Sequence, residues 1–189
     1  MAKRDKTNIT LGSGKIYLTP YTDETVPTVE SVCVEGNLLG YIKGGASLEY
    51  TQETYEEKDD LGLVSKIITT SEEAILKCGL LTWNGTTLKN LIDRCKVTEA
   101  DGKRTVKIGG SGNAQGANYA ICFHHTDTTD GDLWILIIGR NTAGATLTFA
   151  KDAGTVLEPE FKALPHDDNG TLVQLIEEIS TTTTNGSNS

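Results

Sequence analysis

The longest regular pattern in the chain is an alternation of polar and apolar positions that begins near residue 48. Because successive side chains on a β-strand point to opposite faces, steps of two along this stretch group the residues that share a face. One face begins with Leu48 and Tyr50. The other face is largely carboxylate and consists of Glu49, Thr51, Glu53, Tyr55 and Glu57. The pattern predicts a strand with one acidic face.

A turn and a returning strand follow this acidic strand. Residues 58–62 have the composition of a turn, and β-branched residues dominate positions 64–70. We therefore predict a long hairpin over residues 45–71. The candidate tip residues are Lys58, Asp59, Asp60 and Leu61. A hairpin this long cannot bury its tip in its own small domain, so the tip is either a solvated flap or an arm that contacts a neighbour.

Shorter strand patterns separated by turn residues occur along the rest of the chain. The predicted strands cover residues 14–20, 32–35, 39–42, 74–80, 95–98, 104–108, 119–124, 133–139, 145–150 and 156–164, with residues 172–179 ending the fold. Periodicity leaves residues 74–80 open to strand or helix, and Gly79 favours a strand. Asp101 and Gly102 predict a hairpin turn.

One amphipathic helix is predicted after the turn at residues 83–85. Its inward face is formed by apolar residues at i, i+3, i+4 and i+7, namely Leu88, Leu91, Ile92 and Cys95. Thr86 or Thr87 is the expected N-cap of this helix, which covers residues 86–95. The expected organisation is a flexible N-terminal arm (1–12), one antiparallel, mostly β domain (13–179) and a disordered polar tail (180–189).

Composition and charge limit the classes of partner. The chain has 189 residues, a formal net charge of −9 and an isoelectric point of about 4.8. An acidic protein lacks the clustered cations that grip nucleic acid or anionic lipid. We therefore expect neither a nucleic-acid-gripping surface nor a membrane partner, and we expect the chain to be made and kept in the cytoplasm. The four cysteines stand singly among apolar residues, which favours buried free thiols over a zinc site.

The sequence offers little support for catalysis. The glycine-rich residues 109–116 lack the lysine and the following helix of a phosphate-binding loop, so a flexible connector is favoured. His124 and His125 are adjacent on a predicted strand and point to opposite faces, so they cannot both ligate one ion. His166 lies in a turn-like segment, and no serine has the flanking glycines of a nucleophile elbow. We expect no enzyme activity, no metal and no cofactor.

Several runs of residues, taken in their order, resemble one known family. These are GYIKGG at 40–45, LEY at 48–50, IITTSEE at 67–73, the helix at 87–95, EFKALP at 160–165 and GTL at 170–172. Together they resemble the major tail tube proteins of long-tailed bacteriophages. The similarity spans residues 40–178, and its motifs are structural rather than catalytic, so their order carries the weight.

The resemblance implies a fold and a mode of assembly. The fold is an antiparallel β-sandwich or partly closed barrel with one flanking α-helix and a long protruding β-hairpin. Such proteins form homohexameric rings that stack into a tube, and residues 45–71 match the arm that reaches the adjacent ring. The implied partners are further copies of the chain, the tape measure protein, the tail-tip or baseplate proteins and the tail terminator. The implied location is the virion tail, assembled in the host bacterial cytoplasm.

The resemblance also implies a role for the acidic face. A tube that conducts DNA without binding it specifically needs a wall that repels phosphate. The candidate lumen-lining residues are Glu49, Glu53 and Glu57, although the same face can instead meet solvent or the next ring. Two further alternatives stay open: the free chain can be a monomer or a ring, and the fold can belong to a monomeric β-sandwich binding module, such as a virion decoration or carbohydrate-binding domain.

Overall fold

The structure, a computed structural model, is mostly β, as the sequence predicts. It describes residues 4, 7, 9–22 and 25–179, so the predicted tail at 180–189 and half of the predicted arm at 1–12 lie outside the described residues. The strands are β1 (Lys15–Tyr21), β2 (Leu38–Lys58), β3 (Ser65–Leu80), β4 (Cys95–Ala100), β5 (Lys103–Ile108), β6 (Asn118–His125), β7 (Leu133–Asn141), β8 (Glu160–Ala163) and β9 (Gln174–Glu177). The α-helices are α1 (Val29–Val32) and α2 (Gly85–Leu91).

Seven strands form one antiparallel sheet that closes on itself. Its order is β6-β1-β2-β3-β8-β7-β9, and an additional pairing of β6 with β7 joins the two sides of the sheet. β8 and β9 share one edge of β7, because β8 pairs with residues 139–141 and β9 with residues 133–136. The separate hairpin β4–β5 turns at Asp101 and Gly102, as predicted, and both residues have positive φ.

Two apolar clusters lie on opposite sides of this sheet. The inner cluster fills the closed part and includes the fully buried side chains of Ile16, Leu76 and Phe161. The outer cluster lies where α1 covers β6 and β7, and it joins Val32 to Cys122. Because both faces of β6 and β7 are covered, these strands are apolar at consecutive positions rather than alternating.

The prediction of a strand at residues 32–35 is wrong, because this part of the chain forms the end of α1 and a 3₁₀ turn at Glu35–Asn37. Thr28 is the N-cap of α1, and its side chain accepts a hydrogen bond from the Ser31 backbone N–H. Val29 and Val32 are three positions apart and therefore pack together onto β6. Tertiary burial here overrides the strand preference of valine.

The predicted helix is present, but its cap and its end differ from the prediction. Asn84, and not Thr86 or Thr87, is the N-cap: its Oδ1 accepts from the backbone N–H groups of Thr86 and Thr87 at 2.8 and 3.1 Å. The Thr87 hydroxyl accepts the Asn84 N–H in return, which completes a capping box. The helix ends at Leu91, so the predicted range 86–95 extends beyond it by several residues.

The prediction of a strand at residues 145–150 is also wrong. Of the strand predicted at residues 156–164, only β8 and a single bridge between Leu80 and Leu157 are present. Residues 142–154 are exposed. The buried side chain of Asn141 holds the start of this segment, donating to the Gly144 carbonyl at 2.7 Å and accepting from Glu160 N–H at 2.8 Å. Since both edges of β7 are already paired, β7 offers residues 145–150 no free edge for strand pairing.

The glycine-rich connector at 109–116 is tied to the end of α2 rather than loose. The Gln115 side chain donates to the carbonyls of Lys89 and Ile92 at 2.9 and 3.2 Å. The Gly116 N–H donates to the Asp93 carboxylate at 2.8 Å. The two bonds from Gln115 satisfy carbonyls that the helix C-terminus leaves without intrahelical partners.

Candidate assembly surface on the hairpin

The predicted long hairpin is the most distinctive feature of the structure. β2 and β3 pair from Ala46 opposite Cys78 out to Lys58 opposite Ser65. All residues from 49 to 72 are exposed, and we call these residues the projecting hairpin. A two-stranded hairpin without a covered face is marginally stable in water. The domain itself therefore supplies little of the energy that holds this segment in place.

Both edges of the projecting hairpin are open within the described part of the chain. β2 pairs with β1 only through Leu38, Gly40 and Tyr41. β3 pairs with β8 only through residues 75–77. The outer backbone N–H and C=O groups of residues 49–58 and 65–72 therefore face no described strand. Such edges are templates for pairing with another chain.

The tip of the hairpin is an ordered turn built around Asp59. Its carboxylate accepts the Val64 N–H at 2.7 Å and the Leu61 N–H at 3.3 Å, and its carbonyl accepts the Gly62 N–H at 2.9 Å. The hydrogen bond from Val64 is the main cause of a lowered pKa for the Asp59 carboxyl. The predicted tip residues thus form a defined shape that a partner surface can match.

Apolar side chains project from this tip and from the returning strand. Leu61 and Leu63 are each 78% exposed, and Val64 is 70% exposed. Ile67 and Ile68 follow on opposite faces of β3 and are also exposed. Exposed apolar groups concentrated in one segment are characteristic of interaction surfaces.

The predicted lumen-lining glutamates do lie on one face, and it is the face that points away from the inner cluster. On β3, Ala74 and Leu76 are buried in the inner cluster, whereas Ile75 lies opposite Glu49 on the other face. Glu53 accepts from the Ser71 hydroxyl at 3.0 Å, and Glu57 accepts from the Tyr55 hydroxyl. We call this outward side of β2, β3, β8 and β7 the charged face.

Cations on the neighbouring strands share the charged face, although the sequence pattern predicts only its carboxylates. Lys77 contacts Glu49 at 2.9 Å and Glu160 at 3.5 Å, and the hydrogen bond to Glu49 is the main cause of a raised pKa for Lys77. Lys162 forms an ion pair with Glu73. Register places Arg140 beside Lys162, and Lys66 opposite Glu57. The face is therefore mixed in charge rather than purely acidic.

The base of the projecting hairpin contains a backbone irregularity. The pairing of β2 with β3 skips from Ile42 to Ala46, so residues 43–45 bulge outward. Gly44 and Gly45 in the bulge have φ of +86° and +84°, values that disfavour residues with a side chain. An open groove of about 380 Å³ adjoins this bulge, and its charged lining residues include Lys43 and Glu158. A bulge bends the strand that contains it, and this one lies where the hairpin leaves the domain.

Three of the four predicted helix-packing residues pack at the inner cluster, although the four do not share one helix. Leu88 and Leu91 of α2 are buried in the inner cluster, and Ile92 packs against it just beyond the helix. Cys95 is buried at the start of β4. The helix also supports the small sheet: a Cβ placed at Gly85 would lie 2.8 Å from the Val106 side chain of β5.

The histidines are engaged in structural contacts. His124 Nε2 lies 2.7 Å from the Asp132 carboxylate, and its ring stacks on Trp134 with centroids 4.9 Å apart. His125 is buried, with Nδ1 2.7 Å from the Ser13 carbonyl. Among the described residues, no three His, Cys, Asp or Glu side chains converge as metal ligands. Within the same ranges, no helix has the length and apolar content to cross a membrane.

No protein-family model and no curated protein matches this chain.

Proposed function

We propose that this protein is a structural subunit that assembles with copies of itself, as the tail tube of a bacteriophage or of a related tail-like particle. The observation that carries the proposal is the projecting hairpin, which is exposed over residues 49–72 and has open edges on both strands. A folded segment with uncovered apolar groups and open edges needs a partner surface. Another copy of the chain is the partner that the proposal names.

In this proposal two separate contacts hold the assembly together. The open edges of the projecting hairpin pair with strands of neighbouring copies within a homohexameric ring. The hairpin tip, with Leu61 and Leu63, reaches the adjacent ring and buries its apolar side chains there. Exposed Phe149, in the segment after β7, is a further apolar group available to a neighbouring copy.

The charged face is the proposed wall of the channel. Six copies of a chain of net charge −9 carry −54 in total, so the ring as a whole repels DNA. Lys77 and Lys162 lie on the proposed wall, but each is held by glutamates, which reduces its capacity to bind a phosphate. Glu53 and Glu57 then contribute the repulsive surface over which DNA passes without specific binding.

The remaining partners follow from the same proposal. A stacked tube needs a tape measure protein inside it, a tail-tip or baseplate complex at one end and a terminator at the other. Its location is the virion tail, after assembly in the host bacterial cytoplasm.

The competing class is a monomeric β-sandwich binding module. Carbohydrate-binding modules use exposed aromatic platforms, whereas both tryptophans of this chain have structural contacts. The Trp83 indole N–H donates to the Thr155 carbonyl at 3.1 Å, and Trp134 stacks on His124. No contact in the described residues favours the binding module over self-assembly.

Negative-stain electron microscopy and light scattering over a concentration series test the proposal. The wild-type chain is expected to form rings or hollow tubes. A matched variant replaces residues 54–70 with Asn-Gly, because Glu53 and Ser71 are directly paired and can accept a two-residue turn. This variant should remain monomeric with an unchanged thermal midpoint. A wild-type chain that remains a monomer of 20.3 kDa at every concentration would contradict the proposal and favour the binding module.

A further inference from the structure

Two cysteines that are distant in sequence are adjacent in the fold. Cys33 ends α1, and its Sγ lies 3.3 Å from the Sγ of Cys122 in the middle of β6. The two residues are 89 positions apart, and they meet because α1 packs across the outside of β6. We propose that Cys33 and Cys122 are an oxidisable pair that forms an intramolecular disulfide. This inference does not depend on the proposed function.

The geometry requires only a small movement of the sulfur atoms. A disulfide bond is about 2.05 Å long, so the two Sγ atoms need to approach by little more than about 1 Å. Cys33 is partly exposed and Cys122 is fully buried. An oxidant therefore reaches Cys33 first, and Cys122 is positioned behind it as the resolving thiol.

The other two cysteines lack this arrangement. Cys78 and Cys95 are both buried, in the inner cluster and at the start of β4. Burial raises the pKa of Cys78 to about 12 and also raises the pKa of Cys95. By contrast, the hydrogen bond with Cys122 lowers the pKa of Cys33, although burial and the nearby Glu30 carboxylate oppose that effect. Because the thiolate is the nucleophile, Cys33 is the reactive member of the set.

Hydrogen peroxide is a sufficient oxidant for a balanced reaction. The Cys33 thiolate attacks one peroxide oxygen, the O–O bond breaks, and the released hydroxide takes a proton to become water. The Cys122 sulfur then attacks the Cys33 sulfenic acid, the S–O bond breaks and a second water leaves with the Cys122 proton. In total, two thiols and one peroxide give one disulfide and two waters.

The disulfide would fasten the segment that leads into β2 onto the closed sheet. It would close a long loop of the unfolded chain, which reduces the conformational freedom lost on folding. We expect the oxidised chain to unfold about 5 °C or more above the reduced chain. Addition of dithiothreitol should reverse this shift.

Peptide mapping of the full-length chain tests the proposal. The reduced protein is treated with hydrogen peroxide, its remaining thiols are alkylated in denaturant, and it is digested with trypsin. The expected product joins residues 16–43, which contain Cys33, to residues 108–140, which contain Cys122. Cys78 and Cys95, in separate tryptic peptides, should remain free for alkylation.

Variants with a single Cys→Ser substitution show which thiols form the disulfide. Cys33→Ser should abolish both the linked peptide and the rise in unfolding temperature, while Cys78→Ser should retain both. Cys122→Ser, the second variant of the pair, should leave Cys33 to oxidise without forming a link. The proposal is overturned if all four thiols remain free after peroxide treatment, if Cys33 is overoxidised in the wild type without a link, or if the rise in unfolding temperature survives in Cys33→Ser.

Discussion

The strands β2 and β3 run through both the closed sheet and the projecting hairpin, yet the two regions differ in what covers these strands. In residues 74–80 of β3, every second side chain is buried in the inner cluster. In residues 65–72 of the same strand, every side chain is exposed. The backbone pairing with β2 continues through both parts. Pairing alone therefore does not decide which part of a strand is stable, since burial supplies most of the stabilisation.

The two regions also differ in charge. Residues 49–72 contain seven of the 26 carboxylate side chains of the protein and two of its 17 lysine and arginine residues. Charged side chains along open strands discourage uncontrolled pairing with other proteins. The hairpin thus combines apolar groups that favour association with charges that restrict which partner fits. This combination suits a surface that pairs with a defined partner.

The largest expected effect is on the closed sheet. Phe161 is fully buried in the inner cluster, so Phe161→Ala should lower the free energy of unfolding by about 3–5 kcal/mol. Phe149 is 78% exposed, so Phe149→Ala should change the free energy of unfolding of the monomer by no more than about 0.5 kcal/mol. Urea titration of each variant measures both values. Equal losses in the two variants would contradict the assignment of the inner cluster.

The next effect separates folding from assembly at the hairpin tip. Leu61→Asp together with Leu63→Asp should raise the concentration needed for assembly by about a hundredfold or more, because two apolar side chains lose their burial between rings. The thermal midpoint of the monomer should stay the same, since both side chains are exposed in it. Light scattering across a dilution series measures assembly. Leu61→Met with Leu63→Met is the matched control and should assemble normally.

A smaller effect is expected on the hydrogen bonds that hold the turn at the hairpin tip. Asp59→Ala removes the acceptor of the Val64 and Leu61 N–H groups, so these amides should exchange with solvent about fivefold faster or more. Asp60→Ala removes the same charge one residue further along and should leave the exchange unchanged. Hydrogen exchange followed by NMR measures both. Unchanged exchange in Asp59→Ala would show that the turn does not depend on this carboxylate.

Acid should have the same effect as the Asp59 substitution. The folded-state pKa of Asp59 lies below its ordinary value of 3.8. The stabilisation of the turn by the ionised carboxylate is therefore fully present above pH 3.8, and it is lost as the pH falls through the folded-state pKa. Exchange at Val64, corrected for its intrinsic pH dependence, should therefore rise below about pH 4. Asp59→Ala should show no such additional rise.

The smallest expected effect on stability comes from the charged face. Glu53→Lys with Glu57→Lys should leave the monomer folded and the tubes assembled, while DNA passage slows severalfold as phosphates meet unpaired cations. Glu56→Lys with Glu72→Lys changes the charge equally on the opposite face of the hairpin and is the control. A DNA release assay on assembled particles compares the two. Normal release from the first variant would show that this face does not line the channel.

The sequence was sufficient to predict the elements whose signals are local. The hairpin turn at Asp59, the turn at Asp101 and Gly102, and the apolar run of β7 all lie where the sequence predicts. Each of these signals depends only on neighbouring residues. The prediction of a mostly β, antiparallel fold with a long hairpin is accordingly confirmed.

The predictions that the structure contradicts concern residues whose local structure is decided by contacts with distant parts of the chain. Val29 and Val32 form a helix turn because β6 offers them an apolar surface, and nothing nearby in sequence specifies that contact. Residues 145–150 alternate like a strand, but both edges of β7 are already occupied. Lys162 joins the charged face only because β8 pairs with β3. The charge of a sheet face cannot be predicted until the order of the strands is known.

Hydrogen–deuterium exchange of the projecting hairpin, measured as the concentration of the protein is raised, tests the central claim most directly. The backbone amides of residues 49–72 should exchange much faster than those of β6 and β7 in the dilute monomer and become strongly protected as particles form. Amides of β6 and β7, already paired within the closed sheet, should remain protected throughout. Hairpin amides that exchange as rapidly in assembled particles as in the monomer would contradict the account, because the hairpin would then not be covered by another copy of the chain.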